Sequence, residues 1–299
     1  MSLCARDFRF EIILGKGTFG AVYLVRKRSN GKPFVIKEQH LTASGTLTSQ
    51  MILGEVECLK RMRHPNIVNY HGAWRENNRS YILMEYATRG TLKDLLNKRK
   101  QPLKEQDALY LFSQITLGVH HIHSKQILHR DLKPENIMLT GRYGDIIKIG
   151  DFGVSRNVHE EPLTHRIGTF HYMAPEMLKR EPYNLKCDIW SMGVVLYQMI
   201  ANHLPFPATT VKDIIKITCT EKPRPIVART SASTVTLISK MLKKEAYYRP
   251  RTSQLLMCPY LVPSIARVYL NLGRQVEMIS KHETNFSLDV FTGFLKSLR

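Results

Sequence analysis

The 299 residues carry 44 Lys and Arg against 25 Asp and Glu, a net charge of +19, and 43% of them are apolar. That length suits one large domain or two lobes sharing a cleft, and the apolar fraction excludes a wholly disordered chain. The positive excess admits nucleic acid, an anionic surface or acidic partners, yet no run of Lys and Arg forms a tail, so the simplest reading is a solvated basic surface.

Cys4, Cys58, Cys187, Cys219 and Cys258 are odd in number and never spaced as CxxC. This argues against a disulfide framework or a zinc site and fits a reducing compartment. Arg6, Asp7, Arg9 and Glu11 leave no room for a signal-peptide apolar region, and the longest apolar-rich stretch, Met192 to Ala201, is too short to cross a bilayer. The expectation is an intracellular protein without membrane insertion, cytoplasmic, with the nucleus or the cytoskeleton as further addresses.

Along the chain, Phe8–Leu14, Ala21–Arg26 and Lys32–Glu38 read as strands, the last two joined by a Ser29-Asn30-Gly31-Lys32 turn. Residues from Thr48 to Met62 show helical spacing, with Ile52, Glu55, Leu59 and Met62 on one face, and Arg63-His64-Pro65-Asn66 stops the helix. Strands follow at Ile67–Trp74 and Ser80–Glu85. After Gly90 helical periodicity dominates, in Leu92–Lys98, Lys104–His123, Lys186–Ala201, Val211–Thr218 and Ser233–Met241. The fold class is α+β: a small β-rich lobe over residues 8–86 and a larger helical lobe over 90–261. Residues 262–299 read as a tail of unknown role, with apolar residues at irregular spacing.

Several motifs carry chemistry. Gly15-Lys16-Gly17-Thr18-Phe19-Gly20-Ala21-Val22 lies between strands, where glycines let backbone approach phosphates closely. Lys37, in Phe34-Val35-Ile36-Lys37, can hold phosphates if an acidic partner positions its ammonium, and Glu55 on the inward helix face is the better candidate than Glu57. In His129-Arg130-Asp131-Leu132-Lys133-Pro134-Glu135-Asn136, Asp131 is placed to accept a hydroxyl proton. Lys133 can neutralise a transferring phosphoryl group, and Asn136 can hold a magnesium ion. Asp151-Phe152-Gly153 supplies a second magnesium ligand in Asp151, and Ala174-Pro175-Glu176 closes the segment that follows.

Five motifs in this order and spacing identify a resemblance to the eukaryotic protein kinases of serine/threonine type, over about Phe8 to Tyr260. It implies a bilobal fold that uses ATP and Mg2+ on proteins with Ser/Thr acceptors. It also implies Met84 as the gatekeeper beside adenine, Glu85-Tyr86-Ala87 as the hinge, Leu14 with the Gly-rich loop over the nucleotide, and Val22, Val35 and Met138 as the adenine sandwich. Leu59, Tyr70, His129 and Phe152 would stack as a spine anchored by Asp188, Glu176 would pair with Arg249, and Thr169 would bridge Asp131 and Lys133.

Gly150 before Asp151, His64-Pro65-Asn66-Ile67-Val68 followed by Tyr70, and Met84-Glu85-Tyr86 are most similar to the NimA-related (NEK) kinases, implying cell-cycle, microtubule or cilium signalling. Phe170-His171-Tyr172 departs from the Pro-Tyr-Tyr usual there.

Arg130 before the catalytic aspartate implies an activating phosphate, for which Thr164 is the candidate, and hence an activating kinase or partner. Thr91 after the hinge, where arginine-selecting kinases carry an acid, implies no strong need for arginine three residues upstream of the acceptor. Three other readings compete with a working protein kinase, and the small-molecule kinases among them are opposed by Asp188-Ile189-Trp190 together with Ala174-Pro175-Glu176. A pseudokinase scaffold would lack Lys37, Asp131 or Asp151, and all three are present; specific nucleic-acid binding has no recognised motif here.

Overall fold

The structure is a computed structural model that describes residues 3–17, 20–40, 49–152, 156–157, 170–227 and 229–280. Strands β1 (Phe8–Gly17), β2 (Gly20–Lys27), β3 (Pro33–His40), β4 (Tyr70–Glu76) and β5 (Arg79–Glu85) form an antiparallel sheet in the order β1-β2-β3-β5-β4. Alternation along β3 sorts its side chains: Phe34 and Ile36 are buried on one face, with Phe8, Val25, Tyr81 and Leu83. Trp74 stacks between Phe8 and Tyr81, at 5.8 and 5.1 Å between ring centres. The pairings Val22 with Lys37 and Val35 with Met84 place these four residues together on the opposite face.

Helix α1 (Ser49–Arg61) buries Ile52, Val56, Leu59 and Glu55, while Glu57 faces water and pairs with Lys60 at 2.8 Å. The register read from helical spacing is therefore the one adopted. The predicted strand at Ile67 begins later, at Tyr70. Asn66 to Val68 pair instead with Ile149 of the other lobe, the Val68 amide donating to the Ile149 carbonyl at 2.9 Å and the Ile149 amide to that of Asn66 at 2.8 Å.

The second lobe holds α2 (Leu92–Lys98), α3 (Glu105–Ser124), β6 (Ile127–Leu128), β7 (Ile137–Thr140), β8 (Ile146–Ile149), β9 (Arg156–Asn157), α4 (Pro175–Leu178), α5 (Lys186–Ala201), α6 (Val211–Thr220), α7 (Ala232–Met241), α8 (Thr252–Leu256) and α9 (Val262–Ser280). Helices α3 and α5 are apolar almost all round, which dictates their central position, and Phe112, Trp190 and Tyr197 are enclosed between elements. Thr91 caps α2, its hydroxyl accepting from the Asp94 amide at 3.1 Å. No helix among the described residues is long and apolar enough to cross a membrane.

Residues 262–280 correct the reading of an irregular tail. Leu261 and Val268 are buried and Ile265 and Tyr269 pack beside them, the i, i+4, i+7, i+8 spacing of one helical face. The Asn271 amide donates to the Tyr110 hydroxyl at 2.9 Å, and the Arg267 guanidinium lies 4.7 Å from the Tyr110 ring centre. Exposed Val262 and Leu270 obscure that stripe in the sequence.

Candidate active site

The two lobes bring separated motifs to one cleft. Lys37 reaches from β3 to Glu55 of α1 at 2.7 Å and to Asp151 at 3.0 Å. Gln39, two residues along the same face of β3, donates to the other Glu55 oxygen at 3.3 Å. Burial acts to lower the Lys37 pKa, but the charges of Asp151 and Glu55 outweigh it and hold the ammonium above its ordinary range. The Lys37 charge lowers the pKa of Asp151 to about 2 against the cost of partial desolvation, so this carboxylate is anionic at neutral pH.

Beneath them, Asp131 is held by its own loop. Its Oδ2 accepts from Lys133 Nζ at 2.6 Å and from Asn136 Nδ2 at 2.9 Å, and the same amide group donates to the Asp131 carbonyl at 2.8 Å. Asp131 Oδ1 is buried and takes no hydrogen bond from the described residues. One carboxylate oxygen is thus spent on position, leaving the other available for a proton.

The loop's shape is set from below by Asp188 at the start of α5. Its carboxylate accepts from the backbone amides of His129 and Arg130, both at 2.9 Å, and from His123 Nε2 at 2.8 Å. Burial of Asp188 acts to raise its pKa, and the hydrogen bonds and imidazole charges outweigh it and hold the carboxyl below its ordinary value. These bonds sustain Arg130 at φ +65°, a conformation costly for a side chain with Cβ, and Asp151 lies in the same region at φ +57°. His129 Nε2 is 3.0 Å from the Gly150 carbonyl and its ring lies 5.1 Å from that of Phe152, which is fully buried. Leu59 and Phe152 belong to one buried hydrophobic cluster, and Tyr70 packs against it.

Val22, Val35 and Met138, expected to sandwich adenine, and Met84, expected beside it, are half-buried, and Leu14 is exposed. A Cβ on Gly20 would lie 1.8 Å from the Glu38 carbonyl, so glycine is required there by close backbone approach, whereas Gly15 borders open space. Lys16 is exposed, Ala21 half-buried, and Gly17 ends β1. The hinge residues Glu85 and Ala87 are half-buried. Thr18, Phe19, Thr164 and Thr169 lie outside the described residues. Arg130, 6% exposed, donates from Nη1 to the Tyr183 hydroxyl at 3.0 Å.

Two supports escaped sequence reasoning. Lys148 on β8 donates to Glu85 Oε2 at 2.9 Å, and the Asn69 amide reaches the same oxygen at 3.1 Å, tying the hinge to the strand that leads into Asp151. Buried Gln114 accepts from Asn66 Nδ2 at 3.0 Å and from the Ile147 amide at 2.9 Å, and donates to the Asp145 carbonyl at 2.8 Å. A glutamine amid the apolar run of α3 is the signal that could have found it.

Asp151 and the Asn136 amide oxygen are hard oxygen donors on neighbouring elements, a donor set that fits Mg2+, which takes one or two protein oxygens and completes its shell with phosphate and water.

The chain matches the protein kinase domain family over residues 8–261. It is 36% identical over 264 residues to "Serine/threonine-protein kinase Nek5" of Mus musculus, covering 87% of this chain and 41% of that relative. To "Serine/threonine-protein kinase Nek2" of Homo sapiens it is 34% identical over 274 residues, 88% of this chain and 61% of the relative. To "Serine/threonine-protein kinase nekl-2" of Caenorhabditis elegans it is 32% identical over 273 residues, covering 88% and 76%. The chain spans about half or less of the length of the Nek5 and Nek3 relatives it matches. Protein kinases in general use ATP and Mg2+ and act on proteins. The chain belongs to the protein kinase family, in its NimA-related serine/threonine branch.

Proposed function

We propose that this chain transfers the γ-phosphoryl group of ATP to serine and threonine hydroxyls of proteins. The observation that carries this reading is Asp131, with Oδ2 clamped by Lys133 and Asn136 and Oδ1 left for a proton, beneath the assembled Lys37–Glu55–Asp151 chain.

The acceptor hydroxyl gives its proton to Asp131 Oδ1 as its oxygen bonds to the γ-phosphorus. The bond from that phosphorus to the β–γ bridging oxygen breaks, and ADP leaves. Lys37 grips the α- and β-phosphates, positioned by Glu55. Lys133 offsets charge on the transferring group, worth on the order of 10²–10³ in rate for one well-aimed donor. Asp151 and Asn136 would hold Mg2+, which would supply positive charge to offset that of the phosphates. Adenine would lie between Val22 and Val35 above and Met138 below, against Met84 and the hinge at Glu85 and Ala87.

Support for the Ser/Thr preference comes from Lys133 and from the names of the relatives. We extend the reading to intracellular cell-cycle, microtubule or cilium signalling under an activating kinase or partner that phosphorylates Thr164, with little need for arginine upstream of the acceptor. The test is incubation with radiolabelled ATP, Mg2+ and a generic protein substrate, followed by phosphoamino-acid analysis. Label in phosphoserine or phosphothreonine is expected; label in neither, from protein that binds ATP, would remove the activity.

A further inference from the structure

Between α2 and the β7–β8 turn lies a cleft with a volume of about 210 Å³, separate from the residues of the nucleotide site. Leu95 and Tyr143 give it apolar surface over buried Leu139, while Arg89, Lys98 and Arg142 give it three cations. Its one carboxylate, Asp94, is spent on the helix cap: its Oδ2 accepts from the Thr91 amide at 2.9 Å and from the Thr91 hydroxyl at 2.8 Å. Beyond Lys98 the chain continues into exposed Arg99 and Lys100.

The wall is rigid. Arg89 donates from Nε to the Gly141 carbonyl at 3.2 Å and from Nη2 to that of Arg142 at 2.7 Å. Its backbone amide donates to the Leu139 carbonyl at 2.9 Å, and the Leu139 amide to that of Gly90 at 2.8 Å. Gly141 and Gly144, at φ +84° and +70°, turn the chain tightly enough to present Tyr143, which is 79% exposed with the Arg142 guanidinium 5.5 Å from its ring centre. An aromatic ring held in water beside a cation, on a fixed turn, contributes nothing to the core and nothing to the chemistry derived above. Aromatic and arginine side chains in a concave setting are the composition of binding hot spots.

We propose that this cleft docks an acidic segment of the protein substrate, one that places an apolar side chain on Leu95 and Tyr143 and carboxylates on Lys98 and Arg142. Charge complementarity selects the occupant: three cations face one capped carboxylate on a chain of net charge +19. The word substrate rests on the activity proposed above; binding of the acidic segment does not. Because Thr91 bridges to Met138 on β7, a segment docked here is tethered to the strand that lines the nucleotide cleft, raising the local concentration of an acceptor carried on the same chain.

The probe is a fluorescein-labelled peptide of glutamates flanking a leucine, titrated with the full chain by anisotropy. Lys98→Glu with Arg142→Glu should weaken binding by about tenfold or more, since reversal replaces attraction with repulsion at two contacts. Reversal of two other exposed lysines, Lys222→Glu with Lys240→Glu, should change it by less than about twofold. Equal loss from both pairs means diffuse attraction to a basic surface and overturns the proposal, as does unchanged binding by the first pair. A second arm measures phosphorylation: the first pair should raise KM for dephosphorylated casein, an acidic protein, and leave kcat/KM for a short basic peptide unchanged. An equal fall on both substrates would overturn docking, whereas absence of any phosphorylation by unaltered protein that still binds the acidic peptide counts against the activity alone.

Discussion

Two ion pairs, one at the cleft and one at the base of the helical lobe, share chemistry and differ in construction. Arg249 meets Glu176 through two contacts at 2.6 and 2.8 Å and spends its remaining donors on the Lys243, Lys244 and Lys186 carbonyls, with its guanidinium 5.1 Å from the Trp190 ring centre. All five N–H groups are thereby satisfied in a site closed to water. Lys37 divides one ammonium between carboxylates of two elements, in a site whose Asp151 side chain is 48% exposed. The difference separates a strut from a tool. The first pair has one geometry and holds α4 to the helical core; the second keeps an accessible charge where a polyphosphate would sit.

This contrast can be broken by substitution. The largest effect is expected from Glu176→Ala, which leaves Arg249 buried beside no carboxylate and should cost about 3–5 kcal/mol of stability. Urea unfolding reads it, and a cost under about 1 kcal/mol, within the range of an exposed pair, would erase the distinction. Lys37→Arg should do the reverse: its guanidinium keeps a cation beside the buried Glu55 carboxylate, so the unfolding midpoint stays near that of the unaltered protein, while its different shape lowers kcat/KM by about 10²–10³. A Lys37→Arg protein as unstable as Glu176→Ala would make both pairs structural.

The smallest effect sharpens the picture through pH. His64 ends the loop after α1, where its Nδ1 accepts from the Asn66 amide at 3.0 Å, and burial with the neighbouring His121 pushes its pKa down to about 3. The unfolded chain takes up that proton near pH 6.5 and the folded chain does not, so stability is lost as pH falls below about 6.5, by at most about 1.4 kcal/mol per pH unit. His64→Asn, which keeps a side-chain acceptor, should flatten the fall in Tm between neutral and mildly acid pH. An unchanged slope would exclude His64 as its source.

What was legible in the sequence follows from locality. Asp131, Lys133 and Asn136 lie within one loop, so their meeting needs no knowledge of the rest of the fold. Lys37 and Glu55 were legible because period two and period 3.6 each point a side chain at the same cleft. The clamp of Lys148 and Asn69 on Glu85 joins three segments of ordinary composition, and no spacing rule brings them together. Asp188 was expected as the anchor of the spine, but that its carboxylate holds the His129 and Arg130 amides, and with them the left-handed Arg130, emerges only from the fold. Helix α9 was missed for another reason: its stripe is correct for a helix but is diluted by the exposed apolar residues Val262 and Leu270 outside it.

The most direct test of the account concerns the two oxygens of Asp131. In Asp131→Asn the amide can still be positioned by the loop but cannot accept the hydroxyl proton. Single-turnover phosphoryl transfer at saturating ATP should fall by about 10²–10⁴-fold, with ATP affinity unchanged. Transfer at the rate of the unaltered protein would contradict the assignment of Asp131 as the base and, with it, the reading of the cleft.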